Sequence, residues 1–212
     1  MSFQLIHPFN CQILGPSSCG KTTLTIEILR RRREIISVPI NKVIYIYSHF
    51  QPLFHELSAS DPHIVFTNQI EDVDNLVENP CLVVCDDQMD SLGKSSKGNE
   101  LLTRYFIRSG HHMGISWLLL LQNAFKQGLR DVNLNTHYII LFRNPRDMSI
   151  IMTLARQILA GETKFLTAAY KRAVDIKPFN HLFLDLHSRS PNPRFWCRSN
   201  IFPSEETEIY LP

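Results

Sequence analysis

The run GPSSCGKTT, Gly15 through Thr23, fits the pattern G-x-x-x-x-G-K-[ST] at every fixed position. Each fixed residue has a chemical task. Gly15 and Gly20 let the backbone wrap closely enough for consecutive N–H groups to face a polyphosphate. Lys21 sets a point charge on the β- and γ-phosphates, and the Thr22 hydroxyl can ligate Mg²⁺. The expected cradle is the whole stretch: Gly15, Pro16, Ser17, Ser18, Cys19, Gly20, Lys21, Thr22 and Thr23. Phe9 to Leu14 (FNCQIL) reads as the strand that leads in. Lys21 to Ile36 reads as a helix whose positive N-terminal end faces the anion. An ordinary Gly/Ser turn before a helix has no need of Gly-Lys-Thr at the helix start. Nucleoside triphosphate binding follows.

Working outward, 212 residues suffice for one well-filled core and are short for two domains. Residues 1–203 read as one domain and 204–212 as a C-terminal tail, of which 207–212 has no evident packing role. A hydrophobic content of 44% with 20% charged residues is that of a globular protein. The net charge of +2 is too small to imply nucleic-acid binding, so any DNA contact must come from local patches. The N-terminus lacks the basic-then-apolar order of a signal peptide, and the longest apolar run, Ile115 to Leu121, is too short to span a bilayer. Cysteines at 11, 19, 81, 85 and 197 form no zinc spacing. Cys81 and Cys85 read as buried strand thiols, and a disulfide at Cys19 would obstruct the loop. An intracellular, reducing compartment is expected.

Short apolar runs alternate with helical stretches, which predicts an α/β protein with a mostly parallel sheet flanked by helices on both faces. Strands are expected at 9–14, 42–47, 63–66, 81–86, 115–121, 137–142 and 181–185, and helices at 20–36, 69–78, 99–110, 147–158 and 162–173. Several strands are apolar almost throughout, as expected where both sheet faces are covered. Residues 90–99 and 124–135 read as long polar loops.

The run CLVVCDDQ, Cys81 to Gln88, supplies what the phosphate loop lacks. Four apolar residues ending in two acids fit a Walker B strand, whose carboxyl end delivers acids to a metal. Asp86 is assigned to the metal with Thr22, and Asp87 to the base that polarises the attacking water. Asp is one methylene shorter than the Glu many related ATPases carry there, and Gln88 is a weaker candidate for orienting water. A strand that ends in two solvated acids is the plain alternative. The 115–121 strand is followed by Gln122 and Asn123. If the strand order brings it to the same crevice, the Gln122 amide can report on the γ-phosphate. Otherwise it simply bonds loop backbone.

Phosphate loop, Asp-Asp strand end and Gln-Asn strand end, in that order, resemble the poxvirus-type genome-packaging ATPases of the FtsK–HerA superfamily. The stretches RYFIRSGHHMGISWLLLLQNAF (Arg104 to Phe125) and RDVNLNTHYIILFRNPRD (Arg130 to Asp147) look like the packaging ATPases of Polinton- or Maverick-type elements. TLARQ (Thr153 to Gln157), KPFNHLFLDL and RSNIFP (Arg198 to Pro203) are similar too, so the resemblance runs from about Phe9 to Pro203. It implies a RecA-like (ASCE-type) P-loop NTPase core that uses ATP and Mg²⁺. It also implies assembly into a homo-oligomeric ring, a pentamer or hexamer, and ATP-driven movement of double-stranded DNA into a capsid through contact with a capsid or portal-vertex protein. The location implied is the host nucleus or a cytoplasmic virus factory, or the virion itself.

A ring motor needs a positive surface that tracks phosphates without reading bases. Lys94 and Lys97 form one candidate set and Lys126 and Arg130 a second, against the alternative that all four are solvated loop charges. An arginine finger given to a neighbour's γ-phosphate is sought among Arg104, Arg108, Arg143 and Arg146. Arg108 is favoured because it lies in the FIRSGHH segment that looks most like the family. Arg30 to Arg33 span a full helical turn and read as a solvated or interface helix end rather than a DNA stripe. His111 and His112 lack zinc-site partners. Two other functions fit the same loop: a small-molecule kinase, for which no persuasive lid or acceptor pocket is visible, and a weakly hydrolysing scaffold. The chain has little room for a nuclease domain, and no acidic cluster for two cleavage metals appears beyond Asp86 and Asp87.

Overall fold

The strand that feeds the phosphate loop, β1 (Asn10–Leu14), lies inside an eight-stranded sheet of order β3-β2-β4-β5-β1-β6-β7-β8. The computed structural model describes residues 4–86, 104–106, 114–122, 130–159 and 162–212. The remaining strands are β2 (Lys42–Tyr47), β3 (Ile64–Thr67), β4 (Cys81–Asp86), β5 (Ile115–Leu121), β6 (Tyr138–Phe142), β7 (His181–Asp185) and β8 (Cys197–Arg198). The first six are parallel, and β7 and β8 continue the sheet antiparallel. The expected mostly parallel sheet is present.

Alternation along the strands divides the core in two. From β4, Val83 and Cys85 enter one layer while Leu82 and Val84 enter the other. From β5, Trp117, Leu119 and Leu121 face the first layer, and Leu118 and Leu120 the second. With period-2 side chains and helices on both faces, every position of these strands is buried. That is why their sequences are apolar throughout instead of alternating.

The second layer is closed by α1 (Lys21–Arg30), α2 (Arg32–Ile35) and α3 (Pro52–Ser60) through Leu24, Ile28, Leu29, Ile35 and Phe54. The first is closed by α6 (Ser149–Ile158) and α7 (Thr163–Asp175), and Val73 of α4 (Val73–Leu76) and Val132 of α5 (Arg130–Leu134) belong to the same layer. In α7 the buried residues are Leu166, Ala169, Tyr170, Ala173 and Val174, the i, i+3, i+4, i+7, i+8 stripe of an amphipathic helix. Residues 104–106 form a helical turn whose Tyr105 and Phe106 join the same layer.

Five expectations need correction. The helix expected over 20–36 breaks at Arg31, which leaves helical geometry at φ −104°, ψ 14°. The Arg30–Arg33 group is not a uniformly solvated helix end: Arg32 is buried, donates to Leu29 O at 2.8 Å and pairs with Asp61 at 2.6 Å beyond the end of α3. Arg31 is bound to Glu27, Glu34 and Ser204 and lies over the Phe202 ring. The helix expected over 69–78 is a 3-10 turn (Ile70–Asp72) followed by the single turn of α4. α3, β8 and the short α5 were not expected. Finally, 207–212 does pack: Ser199 N–H donates to Glu208 O, Tyr210 N–H donates to Cys197 O, and the buried Tyr210 side chain joins the core.

Candidate nucleotide-binding site

The phosphate loop leaves β1 at the carboxyl edge of the sheet, where parallel strands of α/β folds bind ligands. Its first amide is pinned sideways, Gly15 N–H donating to Leu121 O of β5 at 3.1 Å. A Cβ on Gly15 would lie 2.6 Å from Cys19 Sγ and 2.8 Å from Phe142 Cβ, the latter fixed at the end of a core strand. Only glycine fits. Gly20, at φ +104°, occupies left-handed space just before α1, a turn that favours a residue without Cβ. No side chain caps α1, so its first-turn amides and the positive end of its dipole remain available to an anion.

Lys21 opens α1 and is 8% exposed. Its Nζ folds back over the loop and donates to Gly15 O at 2.7 Å and Pro16 O at 2.8 Å. The ammonium is thus held by the backbone at the start of the loop it serves. Thr22, one residue on, faces the second half of the site. Its hydroxyl donates toward Asp86 Oδ2 at 3.4 Å, longer than a tight hydroxyl–carboxylate hydrogen bond. Asp86, the last residue of β4, is itself largely buried.

A residue that sequence reasoning missed completes this corner. Tyr45 of β2 is fully buried and donates its hydroxyl to the same Asp86 oxygen at 2.7 Å. Burial and the neighbouring carboxylate both push the Tyr45 phenol up from its ordinary value, so it stays a proton donor and fixes the carboxylate's orientation. Its ring packs on both Phe54 and Phe66, with centroids 4.9 and 5.3 Å away, and those two rings stack on each other at 4.8 Å. The oxygen donors here suit Mg²⁺, which takes one or two protein oxygens and completes its shell with water and phosphate. Among the described residues no group of three or more His, Cys, Asp or Glu side chains gathers elsewhere to hold a metal. Tyr45→Phe should keep the ring packing and remove the donor. Partners that orient a metal ligand typically contribute 10- to 100-fold in metal affinity, so the Mg²⁺ concentration for half-maximal nucleotide turnover should rise by about 10-fold or more. An unchanged Mg²⁺ dependence would show that Tyr45 serves packing alone.

Strand order decides the place of Gln122. β5 lies between β1 and β4, so the residue that follows it falls at the sheet edge between the phosphate loop and Asp86. Of the other candidates, Arg130 is exposed at the start of α5, whose far end is tied to Asn10 by Asn10 Nδ2 donating to Asn135 O. Arg104 and Arg146 are exposed. Arg143 is exposed and sits 3.7 Å from Asp175. Asp87, Gln88, Lys94, Lys97, Arg108, His111, His112, Asn123 and Lys126 lie outside the described residues.

Scans of family models and of curated protein sequences found no match. Solved structures of the same fold were found, and the three that follow are 12–15% identical to this chain. The DNA-packaging ATPase B204 of Sulfolobus turreted icosahedral virus matches 97% of this chain with 98% of its own, at 15% identity and TM-score 0.58. The genome-packaging NTPase B204 of Sulfolobus turreted icosahedral virus 2, in complex with ATP-gammaS, matches 96% of this chain with 97% of its own, at 12% identity and TM-score 0.56. The cytoplasmic domain of the type VII secretion ATPase EccC of Thermomonospora curvata matches 95% of this chain with 25% of its own, at 13% identity and TM-score 0.57. The chain has a RecA-like P-loop NTPase fold. No helix among the described residues is long and apolar enough to cross a membrane.

Proposed function

We propose that this chain is an Mg²⁺-dependent ATPase that drives double-stranded DNA into a viral capsid, working as a homo-oligomeric ring of the poxvirus or Polinton type. The observation that carries the reading is the convergence of Thr22 and Asp86, two halves of the site from distant parts of the chain, with the buried Lys21 ammonium held on the phosphate-loop backbone. The DNA-packaging half is supported by two things. The text from Arg104 to Asp147 resembles packaging ATPases, and the likeness to a viral DNA-packaging ATPase runs almost end to end in both chains.

In this reading Lys21 and the loop amides bind the β- and γ-phosphates. Thr22 and Asp86 would hold Mg²⁺, which supplies charge neutralisation at the phosphate oxygens when bound. Asp87 takes the proton of the attacking water. The water oxygen bonds to the γ-phosphorus, the bond from that phosphorus to the bridging oxygen breaks, and ADP and phosphate leave. Gln122 reports the presence of the γ-phosphate, and Arg108 of a neighbouring subunit offsets the charge that builds in the transition state. Lys94, Lys97, Lys126 and Arg130 would follow the DNA backbone, and a capsid or portal-vertex protein would hold the ring in place. The compartment would be a nucleus, a cytoplasmic virus factory or the virion.

Phosphate release by the purified protein, with and without duplex DNA, tests this. Duplex DNA should raise the rate, and Asp87→Asn should bind ATP within a few-fold of the parent while turnover falls by about 100-fold or more. Normal turnover in Asp87→Asn removes the base assignment. A rate indifferent to DNA removes the translocation reading, and transfer of phosphate to a nucleoside monophosphate instead of water would make the protein a kinase.

A further inference from the structure

A bound triphosphate has two ends, and the metal corner meets only one of them. The metal end lies toward β4, two strands from β1 on one side. On the other side of β1 come β6 and β7, and with strands about 4.8 Å apart the His181 end of β7 is on the order of 10 Å from the loop's own strand. A nucleotide whose γ-phosphate end points to Asp86 extends its nucleoside toward that side. There, between the start of α1 and residues 177–181, is a cavity of about 440 Å³ bordered by Thr22, Thr23, Glu27, Phe179 and Phe202. A second cavity of about 540 Å³ adjoins the outer side of the loop at Pro16 to Cys19, and Phe179 borders both.

Phe179 stands out in both its exposure and its backbone. It is a large apolar side chain left 70% exposed. Its φ of +61° puts it in left-handed space, which a bulky residue adopts only under constraint. Such outliers gather at ligand clamps, where the rest of the fold holds them in place. The constraint is visible. Asn180 N–H donates to Lys177 O to close the turn, and the buried Asn180 side chain donates to Ala173 O at 2.7 Å, tying the turn to α7. The ring stands against the phosphate loop, since a Cβ on Gly20 would lie 3.4 Å from Phe179 Cβ and Cδ1. The other aromatic residues of the cavity are already used in the core. Phe142 is 3% exposed and packs on His181 at 5.5 Å, and Phe202 is 2% exposed with Arg31 over its face.

We infer that the nucleobase of the bound nucleotide stacks on Phe179, with the nucleoside lying in the cavity between the start of α1 and the 177–181 turn. This rests on the nucleotide-binding reading of the phosphate loop. A preformed aromatic platform makes a flat π-face available without ordering a flexible side chain at binding, and base–aromatic stacking is tolerant of base identity. The chemical class recognised is therefore a nucleoside triphosphate rather than inorganic polyphosphate.

The test compares ATP with inorganic tripolyphosphate, which carries the phosphates and lacks the nucleoside. Phe179→Gly should weaken ATP binding by about 10- to 100-fold, the usual worth of one base stacked on an aromatic ring, and leave tripolyphosphate binding unchanged. Its melting temperature should not fall, because glycine accepts the left-handed backbone freely. Phe179→Trp should retain ATP affinity, and its added indole emission should be quenched by ATP and not by tripolyphosphate. Parent-like ATP affinity in Phe179→Gly would overturn the inference while leaving the phosphate site intact. Equal losses for ATP and tripolyphosphate would overturn it as well, by showing that the residue shapes the loop. Failure of the parent protein to bind either compound would remove the nucleotide-binding reading itself, and this inference with it.

Discussion

Lys21→Ala is expected to reduce ATP turnover by at least about 100- to 1,000-fold, the loss seen when one preorganised donor to a developing oxyanion is removed. In this structure the side chain is committed to the site from the start. It is 8% exposed, and both of its resolved hydrogen bonds go to the carbonyls of Gly15 and Pro16. Truncation therefore does two things. It takes the cation from the point where the β- and γ-phosphates would sit, and it leaves two loop carbonyls without their donor. The second effect has its own signature, a stability loss of about 1–3 kcal/mol if neither carbonyl finds water. For a chain of this size that corresponds to roughly 2–12 °C in melting temperature. Phosphate release at saturating ATP, a labelled-nucleotide titration and a thermal melt separate the two contributions. A variant that turned over normally would detach the phosphate loop from any catalytic role.

How much of this was legible in the sequence varies with the range of the interaction that fixes each feature. Strands covered on both faces announce themselves, and CLVVCD and ISWLLLL form β4 and β5 at the expected bounds. The break at Arg31 has no glycine or proline to mark it. It is associated with contacts made at a distance: the Arg32–Asp61 pair, and Leu5 N–H donating to Ile35 O beyond it. α3 was missed because a helix that begins at Pro52 and buries only Phe54 and Leu57 gives little periodic signal. β8 is two residues long, and its identity as a strand comes from β7 alongside it.

The site divides in the same way. Gly15, Gly20, Lys21 and Thr22 are readable because one contiguous loop contains the whole pattern. Asp86 is readable because an apolar strand ending in two acids follows a phosphate loop at a suitable distance. Tyr45 is not, because its role depends on β2 lying beside β4, and no local pattern encodes which strands are neighbours. A clue was present all the same: Tyr45 is the one residue in the VIYI run of β2 that carries a hydroxyl, and a buried hydroxyl needs a partner. Phe179 is similar. Its sequence context, KPFNH, gives a turn, and only the folded chain shows the turn closing against the start of α1.

Two substitutions at Asp86 should separate charge from hydrogen bonding at the metal corner. Asp86→Asn keeps an oxygen that can accept from Tyr45 and Thr22 but removes the negative charge, so the fold should melt within a few degrees of the parent. Turnover should nonetheless fall by about 100-fold or more, because the charge balance that draws a divalent cation to Thr22 is gone. Asp86→Ala removes the acceptor too. Tyr45 is fully buried and its hydroxyl donates at 2.7 Å to the oxygen that disappears. An orphaned buried hydroxyl costs about 1–3 kcal/mol, so the alanine variant should be clearly less stable than the asparagine variant and equally inactive. Adding Tyr45→Phe to Asp86→Ala should recover part of that stability, since the group left without a partner is then absent, while activity stays lost. Nucleotide binding measured in EDTA isolates the loop from the metal, and there all of these variants should bind ATP within a few-fold of the parent. Wild-type turnover in Asp86→Asn would show that the carboxylate is a structural acceptor for Tyr45 and has no part in holding the cation.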